Sequence, residues 1–276
     1  MKCLILAFDA LEPNLVVRWK LRNLMQKTYG KYDAPISKRY YGKPHTPSAW
    51  ASFITGKSLE EHGVDWWWSW GRFLDWVRLK SPFKWIKGKR KIIFKLGLKQ
   101  RLITSEYWQK RDIKTLFDII KPSIPLFVPT YNENLELRKE LNSALKKGLK
   151  VYEERVWKIH QVREREVYKR IDEDWKLFMV WFDLVDLLGH LHMARRPYKL
   201  YPAYMRLDDL TRKLKRKIPP ETTVLIVSDH GMEPSDDGIT GDHSINAFWS
   251  LNIKTDWKPK KITDFYPKIL EWCGIS

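Results

Sequence analysis

The sequence is poor in cysteine and lacks an apolar run long enough to cross a bilayer. Its 276 residues include two cysteines, Cys3 and Cys273, which excludes a disulfide-based scaffold and favours a reducing compartment. The apolar segment 2–8 is too short for a signal peptide and lacks a small-residue cleavage site, so we interpret it as a buried strand. We therefore expect a cytoplasmic protein, either soluble or attached peripherally to a membrane surface.

Acidic residues are also scarce relative to basic ones. The chain has 51 Lys and Arg against 33 Asp and Glu, which gives a net charge of +18. Such an excess attracts nucleic acid, anionic lipid headgroups or phosphorylated substrates. A basic solvated surface, as in heat-adapted proteins, is the alternative explanation. A hydrophobic content of 43% excludes disorder, and the length suits one large α/β domain or two small ones.

The basic excess is concentrated in residues 66–101, where eleven Lys and Arg accompany one acid, Asp75. Six tryptophans lie in the same stretch, and the spacing of Trp66, Trp70, Phe73 and Val77 predicts one face of a helix. Tryptophan with basic residues is typical of membrane interfaces, and rings with cations also bind single-stranded nucleic acid. An insertion or lid packed on the body would show the same pattern. We predict a small basic, tryptophan-rich insertion or cap over residues 66–111, with segment 66–101 a candidate docking surface for anionic membrane or nucleic acid.

Three apolar segments that read as buried strands end in acidic residues. The first ends at Asp9, the second is followed by Asp183 and Asp186, and the third ends at Asp229. In open parallel sheets, ligands gather at the carboxyl ends of the strands, so these acids are candidate metal ligands. Each one alone could instead be a loop acid that caps the next helix.

Three histidines stand close to the same strand ends: His190, His230 and His243. His190 follows Asp186 by four residues, so both side chains share one helical face or one tight loop and can reach one cation. His192 is off this spacing, and we interpret it as structural. Carboxylate and imidazole ligands suit zinc or manganese. Together they predict two divalent metals about 4 Å apart, which can hold a phosphoryl group.

A hydroxyl residue, Thr46, lies where a loop turns into a short apolar helix that Gly56 should end. Backbone N–H groups and the helix dipole favour an anion at such an N-terminus. A helix cap is the simpler role for this threonine. The candidate metal ligands elsewhere in the chain favour a nucleophile instead. One metal would lower the pKa of the hydroxyl, and the other would stabilise the leaving oxygen.

The remaining patterns predict alternating helices and strands. We expect helices over 15–26, 115–120, 198–217 and 262–272, and strands over 36–41, 124–128, 177–182, 224–227 and 247–251. A long helical pattern covers 133–171, and its apolar stripe indicates core packing or a helical hairpin beside the site.

These features resemble the alkaline phosphatase superfamily, specifically its type I phosphodiesterase / nucleotide pyrophosphatase branch. The resemblance covers most of the chain in the right order. It is carried by Asp9, the block from Thr46 through Thr55-Gly56 to His62-Gly63, Asp186-x-x-x-His190, Ser228-Asp229-His230-Gly231 and Gly241-Asp242-His243. It implies a single α/β domain over 1–276, with three α/β/α layers around a mostly parallel sheet.

The resemblance also implies a two-metal phosphohydrolase, most simply a phosphodiesterase acting on phosphate esters through a phosphothreonine intermediate. Thr46 would be the nucleophile, and zinc, or alternatively manganese, would be the metal. One ion would be held by Asp9, Thr46, Asp229 and His230, and the other by Asp186, His190 and His243. A phosphomonoesterase and a phosphonate hydrolase are alternatives within the class. A binding protein with a vestigial metal site, docking through segment 66–101, is the alternative outside it.

Three departures from the family pattern stand out. Pro47 directly follows Thr46, so Ser48 takes the usual place of proline and becomes a rival nucleophile. The sulfatase pattern of Cys or Ser followed by x-Pro-x-Arg is absent. An Asn that holds the phosphate in nucleotide pyrophosphatases corresponds here to Trp67, which leaves Lys43 or a backbone N–H as candidate substrate contacts.

Overall fold

The computed structural model describes residues 1–69 and 101–275. Most of the tryptophan-rich segment, including the predicted helical stripe beyond Ser69, lies outside these residues. The described ends of that segment pair with each other, because strand β5 (Trp68–Ser69) runs antiparallel to β6 (Arg101–Leu102). The chain therefore leaves and re-enters the described body at one place.

A six-stranded sheet forms the centre of the molecule, in the order β2 (Thr28–Asp33), β12 (Asn246–Leu251), β9 (Thr223–Val227), β1 (Cys3–Phe8), β8 (Leu177–Phe182) and β7 (Ser123–Leu126). Strands β1, β7, β8 and β9 are parallel, and β12 runs antiparallel to both of its neighbours. The predicted mostly parallel sheet is confirmed.

The central strands are apolar throughout because both of their faces are covered. Along β1, every residue is fully buried, and alternate side chains enter two separate cores. Leu4, Leu6 and Phe8 face one core. Cys3, Ile5 and Ala7 face the other.

Helices cover both faces, as the three-layer prediction requires. On the face of Leu4 lie α1 Pro13–Arg18, α2 Arg22–Met25, α7 Leu135–Lys146, α8 Leu149–Arg170, α9 Leu184–His192 and α10 Tyr201–Lys217. On the face of Ile5 lie α3 Thr46–Thr55, α5 Ser105–Gln109, α6 Leu116–Ile119 and α11 Phe265–Trp272, with α4 Leu59–His62 beside α3. Among the described residues, no helix has both the length and the apolar character needed to cross a bilayer.

The long helical pattern over 133–171 is divided into two packed helices, which confirms the helical-hairpin alternative. The break falls at Gly148, whose φ of 116° lies outside the range that other residues adopt readily. The hairpin of α7 and α8 stands beside the candidate site and supplies one of its walls, described below.

Two local predictions are corrected. The helix expected over 15–26 is divided into α1 and α2. The strand expected over 36–41 shrinks to β3 (Ile36–Ser37), which is followed by a 3-10 turn and pairs with β4 (Lys43–Pro44). The second outer strand of the central sheet is instead β2, which the sequence did not reveal. This edge strand is polar and half exposed, so it lacks the apolar run that marks the central strands.

Candidate active site

The register of three parallel strands brings the predicted acids to one edge of the sheet. Phe8 at the end of β1 pairs with Phe182 at the end of β8, and Ala7 pairs with Val227 at the end of β9. Asp9 and Asp229 therefore follow adjacent strands. The N–H of Ala10 donates to Oδ1 of Asp229 at 3.3 Å, which fixes the two strand ends together.

Thr46 lies at the first position of α3, and its side chain is turned toward these acids. The preceding residue, His45, occupies the cap position, so Thr46 is not the cap. Its Oγ1 lies 3.2 Å from Nε2 of His230 and 3.5 Å from Oδ1 of Asp9. The rival nucleophile Ser48 is also buried, but its hydroxyl donates to the carbonyl of His45 at 2.8 Å.

Each of the three predicted histidines is anchored through Nδ1 to a backbone carbonyl at 2.9 Å. The carbonyls belong to Gly241 for His190, to Gly231 for His230 and to Pro44 for His243. A carbonyl can only accept, so each Nδ1 carries a proton and each ring turns its Nε2 toward the site. The same contact is typical of metal-binding histidines, because it fixes the tautomer and the ring orientation.

The ligand atoms form two overlapping clusters that share His230. Asp9, Asp229 and His230 make one, and Asp186, His230 and His243 make the other; within each, the ligand atoms lie within 4.8 Å of one another. His190 adjoins the second cluster, with its Nε2 3.4 Å from Oδ1 of Asp186. All seven residues predicted as metal ligands are therefore brought together.

The imidazole nitrogens and carboxylate oxygens of the site converge as ligands of divalent cations do. The Nε2 atoms of His190 and His243 lie 3.2 Å apart, and they lie 3.4 and 3.5 Å from Oδ1 of Asp186. Oδ1 of Asp186 and Oδ2 of Asp229 are buried without a hydrogen-bond partner in the described residues. A cation among these atoms would bind the imidazole nitrogens and satisfy the carboxylates.

Burial and crowding of the carboxylates shift their titration. Burial, with Asp229 and Asp186 nearby, raises the pKa of Asp9 well above its ordinary value. Burial likewise raises the pKa of Asp229 to about 7. Burial lowers the pKa of His190, but the carboxylate of Asp186 beside it more than offsets this and raises it to about 9. Without bound cations, protons compensate the buried negative charge, so cations and protons compete for the site.

Close backbone approach holds the helix α9 against the hairpin of β10 (Gly231–Pro234) and β11 (Gly241–Ser244). A Cβ on Gly241 would lie 2.4 Å from the carbonyl oxygen of Gly189, and a Cβ on Gly231 would lie 2.3 Å from that of Asn246. The lack of a side chain at Gly241 thus allows the contact between the hairpin and α9 that brings His190 and His243 together, and Gly231 allows the hairpin to approach β12.

Glu12 is a supporting residue that sequence reasoning missed. Its buried carboxylate accepts from the N–H of Met232 at 3.1 Å and from the hydroxyl of Ser244 at 3.3 Å, which ties the start of α1 to the hairpin. It also accepts from the N–H of Asn14 and so caps α1. An acid directly before Pro13 was the available signal for that cap.

A stack of aromatic rings leads from the histidines to the rim of the site. The rings of His230 and His243 stack with centroids 3.8 Å apart, and Tyr40 lies 5.5 Å from His243. His45 stacks between Tyr40 and Trp66, at 4.8 and 4.9 Å. This stack fixes the loop that immediately precedes Thr46.

The site opens into a cavity of about 410 Å³ that also contacts the α7–α8 hairpin. Trp67, predicted as a substrate contact, lines this cavity, and the guanidinium of Arg138 stacks on its ring at 3.8 Å. The other predicted contact, Lys43, lies away from the cavity. Its Nζ forms ion pairs with Asp242 at 2.6 Å and Glu233 at 3.6 Å.

The structure also separates the metal-site residues from their neighbours in sequence. Asp183, the alternative to Asp186, forms a buried ion pair with Arg163 and also lines the cavity. His192 lies outside the metal clusters, with its Nε2 3.3 Å from Glu153, as its structural interpretation requires.

A model of the type I phosphodiesterase / nucleotide pyrophosphatase family matches residues 3–269. The chain belongs to this family. It is therefore an enzyme of the phosphoric ester hydrolase class. Membership of this metal-dependent family supports hydrolysis of phosphodiesters as its reaction. No curated protein sequence matches the chain.

Solved structures agree on the fold. The chain is similar to human ectonucleotide pyrophosphatase/phosphodiesterase 5, with a TM-score of 0.54 and 12% identity over 100% of this chain and 96% of that one. It is equally similar to an inactive variant of the murine protein in complex with AMP, with a TM-score of 0.54, 12% identity and the same coverage. At 12% identity, this similarity supports the fold alone, and that fold is alkaline-phosphatase-like.

Proposed function

We propose that this enzyme hydrolyses phosphodiesters with Thr46 as the nucleophile and with two divalent cations, zinc or alternatively manganese. The observation that carries the proposal is the placement of the Thr46 hydroxyl 3.2 Å from His230 and 3.5 Å from Asp9. Among the described residues, this hydroxyl lies both at a helix N-terminus and close to the candidate metal ligands.

The residues divide into two ligand sets. Asp9, Thr46, Asp229 and His230 would hold one cation, and Asp186, His190 and His243 would hold the other. When bound, the cations would neutralise phosphate charge, lower the pKa of the nucleophilic hydroxyl and stabilise the leaving oxygen.

The chain itself positions the reacting groups. Thr46 donates its hydroxyl toward Oδ1 of Asp9, which orients the oxygen for attack on phosphorus. The N-terminus of α3 favours the negative charge of the phosphoryl group. The bond from Oγ1 to phosphorus forms while the bond to the departing ester oxygen breaks, and the proton that the hydroxyl loses balances the alcohol that leaves. Water then hydrolyses the phosphothreonine ester, which releases the phosphomonoester and restores the Thr46 hydroxyl.

The test compares bis(nitrophenyl) phosphate with nitrophenyl phosphate, before and after removal of metal by a chelator. We expect faster hydrolysis of the diester, loss of activity on chelation and recovery with zinc or manganese. A faster monoester reaction would make the enzyme a phosphomonoesterase, and activity on a nitrophenyl phosphonate alone would make it a phosphonate hydrolase. Full activity after complete metal removal would contradict the proposal.

Two sequence-based hypotheses stay predictions: cytoplasmic location, and docking of segment 66–101 on anionic membrane or nucleic acid. Residues 70–100 of that segment lie outside the described part of the chain. Sedimentation with anionic vesicles and retention of single-stranded DNA, each at low and high salt, test the docking hypothesis. Binding that salt abolishes supports it, and equal sedimentation with neutral vesicles contradicts it.

A further inference from the structure

The turn between α7 and α8 exposes aliphatic and basic side chains together. Leu145 is 48% exposed and Leu149 is 63% exposed, whereas Leu137 and Leu141 on the same hairpin are buried. The exposed lysines of this turn are Lys146, Lys147 and Lys150. We call residues 145–151 the hairpin tip. Clustered aliphatic side chains that remain in water do not stabilise the fold, so the tip is a candidate contact surface.

The positive charge of the hairpin tip is not balanced by acids. Residues 141–152 contain three lysines and no Asp or Glu. Elsewhere on the same two helices, Lys139 pairs with Glu136 at 2.7 Å. Arg155 pairs with Glu140 at 2.8 Å. Among the described residues, none of the three lysines of the tip forms an ion pair, so their charge faces solvent.

The basic surface continues from the hairpin tip into a second cavity. This cavity has a volume of about 650 Å³ and shares no lining residue with the active-site cavity. Leu149 lines it together with Ile239, which lies in the loop between β10 and β11 and is 47% exposed. The basic lining residues are Lys150, Arg195, Arg196 and Lys199. Exposed aliphatic groups and cations therefore alternate over one continuous surface.

Positive charge exceeds negative charge around the second cavity. Two acids line it, Glu153 and Glu154, against four basic residues. Glu153 is engaged by the chain itself, since its carboxylate lies 3.3 Å from Nε2 of His192. Within residues 1–69 and 101–275, none of the four basic residues forms an ion pair. The cavity and the tip thus attract an anionic partner.

The combination of cations with aliphatic side chains indicates the chemistry of that partner. Lys and Arg attract the anionic headgroups of a lipid surface, and Leu and Ile beside them can enter the boundary between headgroups and acyl chains. Single-stranded nucleic acid is held by cations together with aromatic rings that stack on the bases. The exposed apolar residues Leu145, Leu149 and Ile239 offer no such ring, so the lipid surface fits better.

The hairpin tip also borders the active-site cavity. Leu145 lines that cavity together with Asn142, which is exposed on the same helix. Because Leu145 is half exposed and belongs to the cavity lining, it lies at the mouth of the cavity. A surface that contacts the tip therefore lies next to the opening of the active site.

We propose that the hairpin tip and the basic residues of the second cavity dock the enzyme on an anionic lipid surface. Leu145, Leu149 and Ile239 enter the headgroup boundary, and the surrounding cations bind the headgroups. Docking holds the mouth of the active-site cavity at the lipid surface. The inference goes beyond the proposed function, because binding to lipid needs neither Thr46 nor the metal ligands. It also uses residues other than those of segment 66–101.

The first test is sedimentation of the full chain with phosphatidylcholine vesicles, with and without about 30% phosphatidylserine. We expect binding to the anionic vesicles only, weakened by salt. Lys147→Glu/Lys150→Glu should lower the partition coefficient at least about tenfold, because attraction becomes repulsion. Leu145→Ser/Leu149→Ser should lower it at least about threefold, because less apolar surface is buried.

Matched controls come from the segment after β12, at the opposite edge of the sheet. Leu251 at the end of β12 pairs with Leu225, whereas the metal-ligand edge follows Val227 of the same neighbouring strand. Lys254→Glu/Lys258→Glu makes the same change in net charge, and Ile253→Ser removes an exposed aliphatic side chain. These variants should bind vesicles as the wild type does.

Two outcomes of the sedimentation test would overturn the inference. Wild-type binding by both tip variants would mean that the tip does not contact lipid. Equal losses in the tip and control variants would mean that net charge alone determines binding. Retention of single-stranded DNA that is lost in Lys147→Glu/Lys150→Glu, without binding to anionic vesicles, would make the partner nucleic acid and would also overturn it.

A second measurement reports contact of the tip with lipid directly. Leu149→Cys and Ile253→Cys are each labelled with a polarity-sensitive fluorophore, which is selective because Cys3 and Cys273 are buried. We expect a blue shift of the emission at position 149 with anionic vesicles and no shift at position 253. Sedimentation with vesicles without a shift at position 149 would assign docking to another part of the chain and contradict the inference.

Discussion

The metal-ligand edge of the sheet is built differently from one wall of the same cavity, the polar wall, which is formed by the side chains of Glu133, Arg163 and Trp181. At the edge, short segments after parallel strands supply Asp9, Asp229 and His230, and backbone carbonyls orient the histidine rings. At the wall, side chains from a helical hairpin and from β8 hold one another through ion pairs and ring contacts.

This difference separates what the backbone fold fixes from what side-chain packing fixes. Ligands fixed by strand ends and backbone carbonyls depend on the fold, and the fold is that of the family. A wall made of packed side chains can change without disturbing the sheet. We therefore expect variants at the edge to affect every substrate, and variants at the wall to affect the choice among substrates.

The largest effect is expected at the nucleophile. Thr46→Ala removes the attacking oxygen and should lower kcat for every diester by about a thousandfold or more, since groups that act as a unit lose most of the rate together. Thr46→Ser keeps a hydroxyl and should retain a measurable part of the activity. Steady-state kinetics on bis(nitrophenyl) phosphate decides, and an Ala variant as active as the Ser variant would exclude Thr46.

The next effect concerns the support of the edge. Gly241→Ala should weaken metal binding by about tenfold to a hundredfold, the range typical of residues that orient ligands, because a Cβ there meets the backbone of Gly189 at 2.4 Å. Gly238→Ala is the control, since no atom lies within 4 Å of its Cβ position and it bears only backbone strain. Zinc affinities measured by competition with a chromogenic chelator should differ between the two variants; equal affinities would contradict this role.

A smaller effect, on stability rather than chemistry, is expected at His62 behind the edge. Its Nδ1 accepts from the N–H of Val64 and its Nε2 lies 2.9 Å from the hydroxyl of Ser52, so the ring is neutral. Burial lowers its pKa to about 4, below the ordinary value of 6.5. The unfolded chain therefore binds a proton that the folded one excludes, and stability is lost as the pH falls from about 6.5 toward 4.

His62→Gln isolates this contribution because glutamine does not titrate. The variant should be less stable than the wild type at pH 7, and the difference should shrink by up to about 3 kcal/mol as the pH falls to 4. Urea denaturation at a series of pH values measures it. A difference that stays constant with pH would mean that the ring is not held neutral.

The smallest effect is expected from a conservative change at the rim of the wall. Trp67→Phe keeps an aromatic face for the guanidinium of Arg138 but offers a weaker one. It should raise KM by about twofold to fivefold, equivalent to about 0.5–1 kcal/mol, and leave kcat unchanged. A loss of kcat comparable to that of Thr46→Ala would mean that the polar wall and the metal-ligand edge both contribute to the chemical step.

The metal-ligand edge of the sheet could be predicted from the sequence because its signals are local. An apolar run followed by an acid predicts a strand end, and parallel pairing brings such ends together. The polar wall could not be predicted in this way, because Arg163 is one of many basic residues on a long amphipathic helix. Only the packing of that helix beside β8 distinguishes it. Lys43 shows the same limit, since its chain position suggested a phosphate contact but acids of the neighbouring hairpin pair with it.

Similar reasons separate the elements that were predicted from those that were not. The central strands β1, β8 and β9 are apolar on both faces, so the sequence marks them clearly. The edge strand β2 is polar and half exposed, and only its pairing with β12 defines it. The break between α7 and α8 lies at Gly148, and the helical pattern of the sequence does not show the backbone conformation of this residue.

The most direct test of the account is a metal titration of the metal-free enzyme, followed by elemental analysis and by the rate of diester hydrolysis. We predict that activity rises with bound zinc or manganese and saturates at two ions per chain. We also predict that Asp186→Asn retains fewer ions and that Thr46→Ala does not regain activity with either metal. A wild-type protein that hydrolyses diesters fully with no bound metal, or that binds no more metal than Asp186→Asn, would contradict it.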